Sequence, residues 1–153
     1  MLRISKLTDY GIMLSTYMAR DSQMSRRNAR ELAAEAHLPL PTVNKILKML
    51  AQEGLLLTHR GVNGGFSLAR QPDAISVADI ITALEGPLAL TECSLYRPGV
   101  CQLEKQCPVR SNWQQINQVV LAALKRLTLA EMTHPLSRGF AAFTGSTRNP
   151  GQP

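Results

Sequence analysis

The hydrophobic period of this chain changes at one place, and that change fixes most of its architecture. Up to Gly54 the apolar residues recur at helical spacing. From Leu55 they follow the two-residue period of a strand. Residues 5–20 carry Leu7, Ile12, Met13, Leu14, Tyr17 and Met18 against Lys6, Asp9 and Arg20, which predicts an amphipathic first helix with Gly11 as a mild cost. Asn28, with Glu31 three residues on, predicts the cap of a second helix over 29–36. Pro39 and Pro41 break that helix, and Pro41 suits the first turn of a third over 42–53, with Val43, Ile46, Leu47 and Leu50 on its apolar side and Gly54 as its stop. Residues 55–60 then read as a strand, 61–65 as a turn whose Asn-Gly and Gly-Gly pairs supply positive φ, and 66–70 as the return strand. Three short helices followed by a hairpin is the order of a winged helix-turn-helix. The predicted class is mainly α with a small β-hairpin.

In that arrangement the third helix enters a major groove, and its N-terminal residues Leu40, Pro41, Thr42, Asn44 and Lys45 face base edges. An Asn amide suits adenine, and a Thr can donate, accept or touch a thymine methyl. Arg26, Arg27, Lys45 and Lys48 suit phosphates, and the hairpin tip brings His59, Arg60 and Asn63, with Arg60 placed to enter a minor groove. The charge agrees. Residues 1–70 hold ten Lys/Arg against five Asp/Glu, whereas residues 71–153 hold seven against six. A basic first half beside a near-neutral second half suggests a polyanion-binding module, and with the winged-helix order the expected partner is double-stranded DNA.

The second half is predicted to contain a helix over 77–84, capped by Ser76 with Asp79 at the N3 position. A segment over 87–110 has no clean period, and a long helix runs over about 111–132. Trp113, Ile116, Val120, Leu124 and Leu127 form a seam on that helix for a facing helix. The expected division is a DNA-binding domain over 1–72, a linking helix and loop over 73–110, a dimerisation helix over 111–133 and a flexible tail over 134–153. No run is long and apolar enough to span a membrane, and the N-terminus lacks a signal peptide's apolar stretch, so a cytoplasmic chain is expected.

All three cysteines, Cys93, Cys101 and Cys107, fall in the aperiodic loop. Their spacing is neither the paired knuckle of structural zinc sites nor that of a thioredoxin-like redox motif. Thiolates on a Gly- and Pro-containing loop suit an iron–sulfur cluster, which leaves a fourth ligand place for a His, a carboxylate or an exogenous group. A thiol enzyme is the competing class. It requires a base, but His37 and His59 fall in the DNA-binding unit and no nucleophile motif surrounds any cysteine, so no enzymatic activity is expected.

With the helix-one segment Leu7-Thr-Asp-Tyr-Gly11, the hairpin Gly61-Val-Asn-Gly-Gly-Phe-Ser-Leu-Ala-Arg70 and the three-cysteine loop, the sequence resembles the IscR/NsrR (Rrf-two) family of iron–sulfur winged-helix transcription regulators over about residues 1–133. The likeness is strongest to regulators of the SUF cluster-assembly system. It implies a homodimer joined through the long helix, a palindromic operator, and a cluster whose presence sets DNA affinity. IscR-like members place a His three residues after the third cysteine. This chain has Arg110 there, which disfavours a Cys3His 2Fe–2S site of that form. NsrR-like members use a helix-one Asp, and Asp9 matches it, donated by the other protomer. Glu92, Glu104 and His134 are weaker candidates. Three cysteines with an Asp favour a 4Fe–4S over a 2Fe–2S cluster. The alternative signals implied are nitric oxide or redox state; less favoured is a zinc- or thiol-based protein without a cluster.

Overall fold

A computed structural model describes residues 3–21, 23–95, 99, 101–103 and 105–136. In chain order the elements are α1 (Lys6–Ala19), α2 (Ala29–Ala36), α3 (Leu40–Gln52), β1 (Leu56–His59), β2 (Gly65–Leu68), α4 (Val77–Glu85), α5 (Arg110–Arg126) and α6 (Leu129–Met132), with short 3-10 turns at Pro72–Ala74 and Glu92–Leu95. The fold is the expected winged helix-turn-helix, mostly helical with one antiparallel hairpin in which Leu56 faces Leu68 and His59 faces Gly65. Arg27 adds a third edge. Its backbone exchanges hydrogen bonds of 2.8 and 2.9 Å with Phe66, tying the hairpin to the start of α2.

Local chemistry sets the boundaries. Ser5 caps α1, and its side chain accepts from the Thr8 backbone N–H at 3.2 Å. Asn28 and Glu31 form the expected capping box of α2. The helix ends at His37, which adopts the left-handed conformation (φ 52°) that a non-glycine residue visits only when local hydrogen bonds hold it. Here the His37 and Leu38 N–H groups return to the carbonyls of Ala34 and Ala33. Gly11 is more than a cost to α1: a β-carbon there would overlap the Cδ1 of Leu84, so its absence lets α1 cross α4 closely.

One core joins both halves of the chain. Leu14, Leu32, Val43, Ile46, Leu47 and Leu50 from α1–α3 pack with Leu55, Leu56 and Leu68 of the hairpin region, and Ile75, Ile80, Leu84 and Leu129 complete the cluster. A smaller cluster holds Val77, Ile81 and Leu127, with Leu124 and Met132 against it.

The continuous helix expected over 111–132 is two helices. Thr128 is extended and forms a capping box with Glu131, which starts α6. The chain at this break pairs with the segment before α4: Val77 donates to the Leu127 carbonyl at 2.9 Å and Leu129 to the Ile75 carbonyl at 2.7 Å. Burial of Leu127 and Leu129 on either side makes the break favourable, so Leu124 and Leu127 of the expected seam pack within their own chain. Of the expected tail over 134–153, residues 137–153 lie outside the described residues. Among the described residues no helix is long and apolar enough to cross a membrane.

Candidate nucleic-acid interface and cysteine loop

The apolar side of α3 is buried, which turns Pro41, Lys45 and Lys48 outward along one exposed face. Thr42 and Asn44 are half-buried beside them, and Leu40 is half-buried against the core. Asn44 and Leu40 share an open groove of about 650 Å³ with Asn28 and Arg30 at the start of α2 and with His59 and Val62 of the hairpin. The fold thus brings the expected reading helix and the wing to one concave surface. Arg26 is exposed. Arg27 is only 22% exposed in its side chain, and its guanidinium is engaged by Glu35 and Glu31. Arg30 was not among the expected contacts, although its place one turn beyond Arg26 on a capped helix start was a usable signal.

Arg60 and Asn63 are exposed at the hairpin tip. The tip is a tight turn in which Gly64 N–H donates to the Gly61 carbonyl at 2.9 Å. The Gly-Gly pair is a steric requirement. A β-carbon on Gly64 would lie 2.6 Å from the His59 carbonyl oxygen, and one on Gly65 (φ 150°) would lie 2.6 Å from that of Arg27. His59 Nε2 and Ser67 Oγ, 2.8 Å apart, brace the two strands.

The helix α5 anchors the approach to the cysteine loop. Buried Asn117 accepts from the Leu90 N–H at 2.9 Å, and Gln114 donates to the Cys93 carbonyl at 3.4 Å. Neither residue was expected from the sequence, because an Asn inside a helix has no sequence mark of burial. Cys93 lies in the 3-10 turn with its sulfur 3.2 Å from Thr91 Oγ1. Cys93, Cys101 and Cys107 are all free thiols and all half-buried. Among the described residues no three or more His, Cys, Asp or Glu side chains form a group that could hold a metal ion, so the structure keeps the cysteines in one loop without gathering them, or Asp9, at a common point. Asp9 is exposed on the first turn of α1, Glu92 and His134 are exposed, and Arg110 begins α5. Glu104 lies outside the described residues. Next to the loop, Val109 (45%), Trp113 (38%), Ile116 (45%) and Val119 (64%) leave an apolar stripe on α5 open.

The turn that carries Asp9 is fastened to the helix that leads into the loop. Ser5 N–H donates to Glu85 Oε1 at 3.0 Å. Hydrogen bonds from Thr8 and then Ser5 hold the Glu85 carboxyl below the usual range. Glu85 thereby sits at the positive end of the α1 dipole, where a carboxylate is stabilised.

Relatives match this geometry along nearly the whole described chain. The sequence is similar to the HTH-type transcriptional regulator NsrR of Geobacillus kaustophilus, at 25% identity over 86% of this chain and 89% of that one. The fold is similar to CymR, the global cysteine regulator of B. subtilis (TM-score 0.69, 28% identity, 87% of this chain and 97% of that one). It is also similar to T. potens IscR (TM-score 0.65, 27% identity, 86% of this chain and 85% of that one). The profile of the Rrf2 family, described as iron-dependent transcriptional regulators, matches residues 4–135. With the reading helix, the wing and this match over residues 4–135, the chain belongs to the Rrf2 family: it is a DNA-binding transcriptional regulator and not an enzyme.

Proposed function

We propose that this regulator couples an iron–sulfur cluster to DNA affinity and controls iron–sulfur cluster-assembly (SUF) genes from a palindromic operator. The observation that carries the reading is the setting of the thiols: three free, half-buried cysteines in one loop, with α5 holding the loop's entrance through Asn117 and Gln114. The donor set fits. Three soft thiolates are the ligands such clusters take, and the Cys93 sulfur lies within hydrogen-bond reach of Thr91 Oγ1. Cys93, Cys101 and Cys107 hold the cluster, and Asp9 of the other protomer supplies the fourth ligand, which favours 4Fe–4S. When bound, the cluster supplies a labile, redox-sensitive cross-link between protomers. The chain's own residues do the rest. The open α5 stripe forms the homodimer seam, with Trp113, Ile116 and Val119 as its core. Glu85 holds the α1 turn that presents Asp9. Pro41, Thr42, Asn44 and Lys45 read base edges, and Arg26, Lys48 and Arg60 meet the sugar–phosphate backbone.

The test is anaerobic purification of the protein with visible absorption, iron and acid-labile sulfide measured together. Wild-type protein should be coloured and carry both elements, and Cys93→Ala, Cys101→Ala and Cys107→Ala should each lose colour and iron. Full iron and sulfide in all three variants would refute the ligand set.

A further inference from the structure

The far end of the wing carries an apolar side chain that the fold does not use. Val62 occupies a corner of the Gly61–Gly64 turn and is 106% exposed, the exposure of a free side chain. Turn corners favour Gly, Asn, Asp and Ser, so neither turn chemistry nor packing accounts for a valine there. The placement is firm. The hairpin ladder, the His59–Ser67 contact and the backbone pairing of Phe66 with Arg27 fix the strands beneath it. Val62 also lines the same groove as Asn44 on α3, so it faces the DNA side. Its neighbours at the tip are the cation Arg60 and the amide of Asn63.

We propose that Val62 is a specificity determinant: it enters the minor groove beneath the wing and selects A·T over G·C pairs there. This rests on the DNA-binding face described above. The minor-groove floor of an A·T pair carries acceptors only, whereas guanine adds an amino group that must donate. A valine pressed onto that floor removes water from the amino group and offers no acceptor, and a buried unsatisfied donor is costly. The branched side chain is stiff, so little rotamer freedom is lost when it is held. Arg60 and Asn63 remain free to take the phosphates and the A·T acceptors on either side.

The test uses full-length protein and duplexes enriched by it from a random-sequence pool. At the outer positions covered by the wing, A·T pairs are replaced by G·C or by inosine·C, which lacks guanine's minor-groove amino group. Wild-type protein should bind the inosine duplex as tightly as the A·T duplex and the G·C duplex about tenfold more weakly. Val62→Ser supplies a hydroxyl acceptor on a side chain with no role in folding, and should bring that ratio below about threefold while keeping the salt slope, because an apolar contact releases no counterions. Equal binding of G·C and inosine duplexes by wild type, or an unchanged ratio in Val62→Ser, would overturn the proposal. Failure of wild-type protein to enrich any duplex would overturn the DNA face itself, a distinct result.

Discussion

The winged half of the molecule and its cysteine loop are built to different rules. In the winged half the boundaries have local causes: Ser5 and Asn28 cap α1 and α2, Pro41 sits in the first turn of α3, two glycines permit the hairpin tip, and an aliphatic core locks the pieces together. Among the described residues over 87–109 there is one short 3-10 turn, and the three thiols there form no group that could hold a metal ion. A scaffold held by local caps and a shared core is joined to a segment that carries the three thiols. Under the proposed function the division has a use: the reading surface would keep its shape while the thiol-bearing segment met the signal.

The contrast can be broken or sharpened by substitution. Leu47→Ala removes a fully buried side chain from the core and should cost about 2–5 kcal/mol of stability in chemical denaturation. Ile116→Lys places a charge in the open α5 stripe. It should leave the monomer folded and weaken self-association by about 2 kcal/mol or more, read by sedimentation across micromolar concentrations. A variant that sediments like wild type would move the dimer seam elsewhere. Asn44→Ala should lower affinity for enriched duplexes by about 1–3 kcal/mol and relax base choice at one position, and equal losses on random DNA would remove its reading role.

A smaller effect is expected at Glu85. Its carboxyl is held below its ordinary value by Thr8 and Ser5, so it contributes stability that is complete above the unfolded-state pKa and is lost as pH falls through the lower, folded one. Glu85→Gln should therefore lower stability modestly at pH 7, where that contribution is complete, and flatten the acid limb of the stability curve below about pH 4.5, where the variant and wild type should converge. The smallest effect is the most telling for the contrast. Cys107→Ala in cluster-free protein should shift stability by less than about 0.5 kcal/mol, since a half-exposed loop thiol carries little of the fold.

The same division decides what was legible beforehand. Caps, periodicity and turn glycines are local signals, so the order of α1–α4 and the hairpin could be read to within a residue or two at most ends. The break at Thr128 also had a local signal, the Thr128–Glu131 capping box, but a long apolar seam masked it, and only the pairing of the chain with Ile75 and Val77 shows why the box wins. Asn117 was invisible because its role depends on Leu90, far along the chain. The packing of Gly11 against Leu84 has no local mark either, because it is a tertiary contact. Arg27 suited a phosphate by charge, yet Glu31 and Glu35 on the next helix engage it.

The coupling between the two regions is the central claim, and one titration tests it most directly. Anaerobically purified protein is divided into cluster-bound and chelator-stripped samples, and both are titrated against the same enriched duplex at fixed salt. The account predicts that the affinities differ by at least about fivefold, the low end of typical coupling energies, and that Cys107→Ala protein binds like the stripped sample under either treatment. Colourless wild-type protein, or coloured protein with the same affinity before and after stripping, would contradict it.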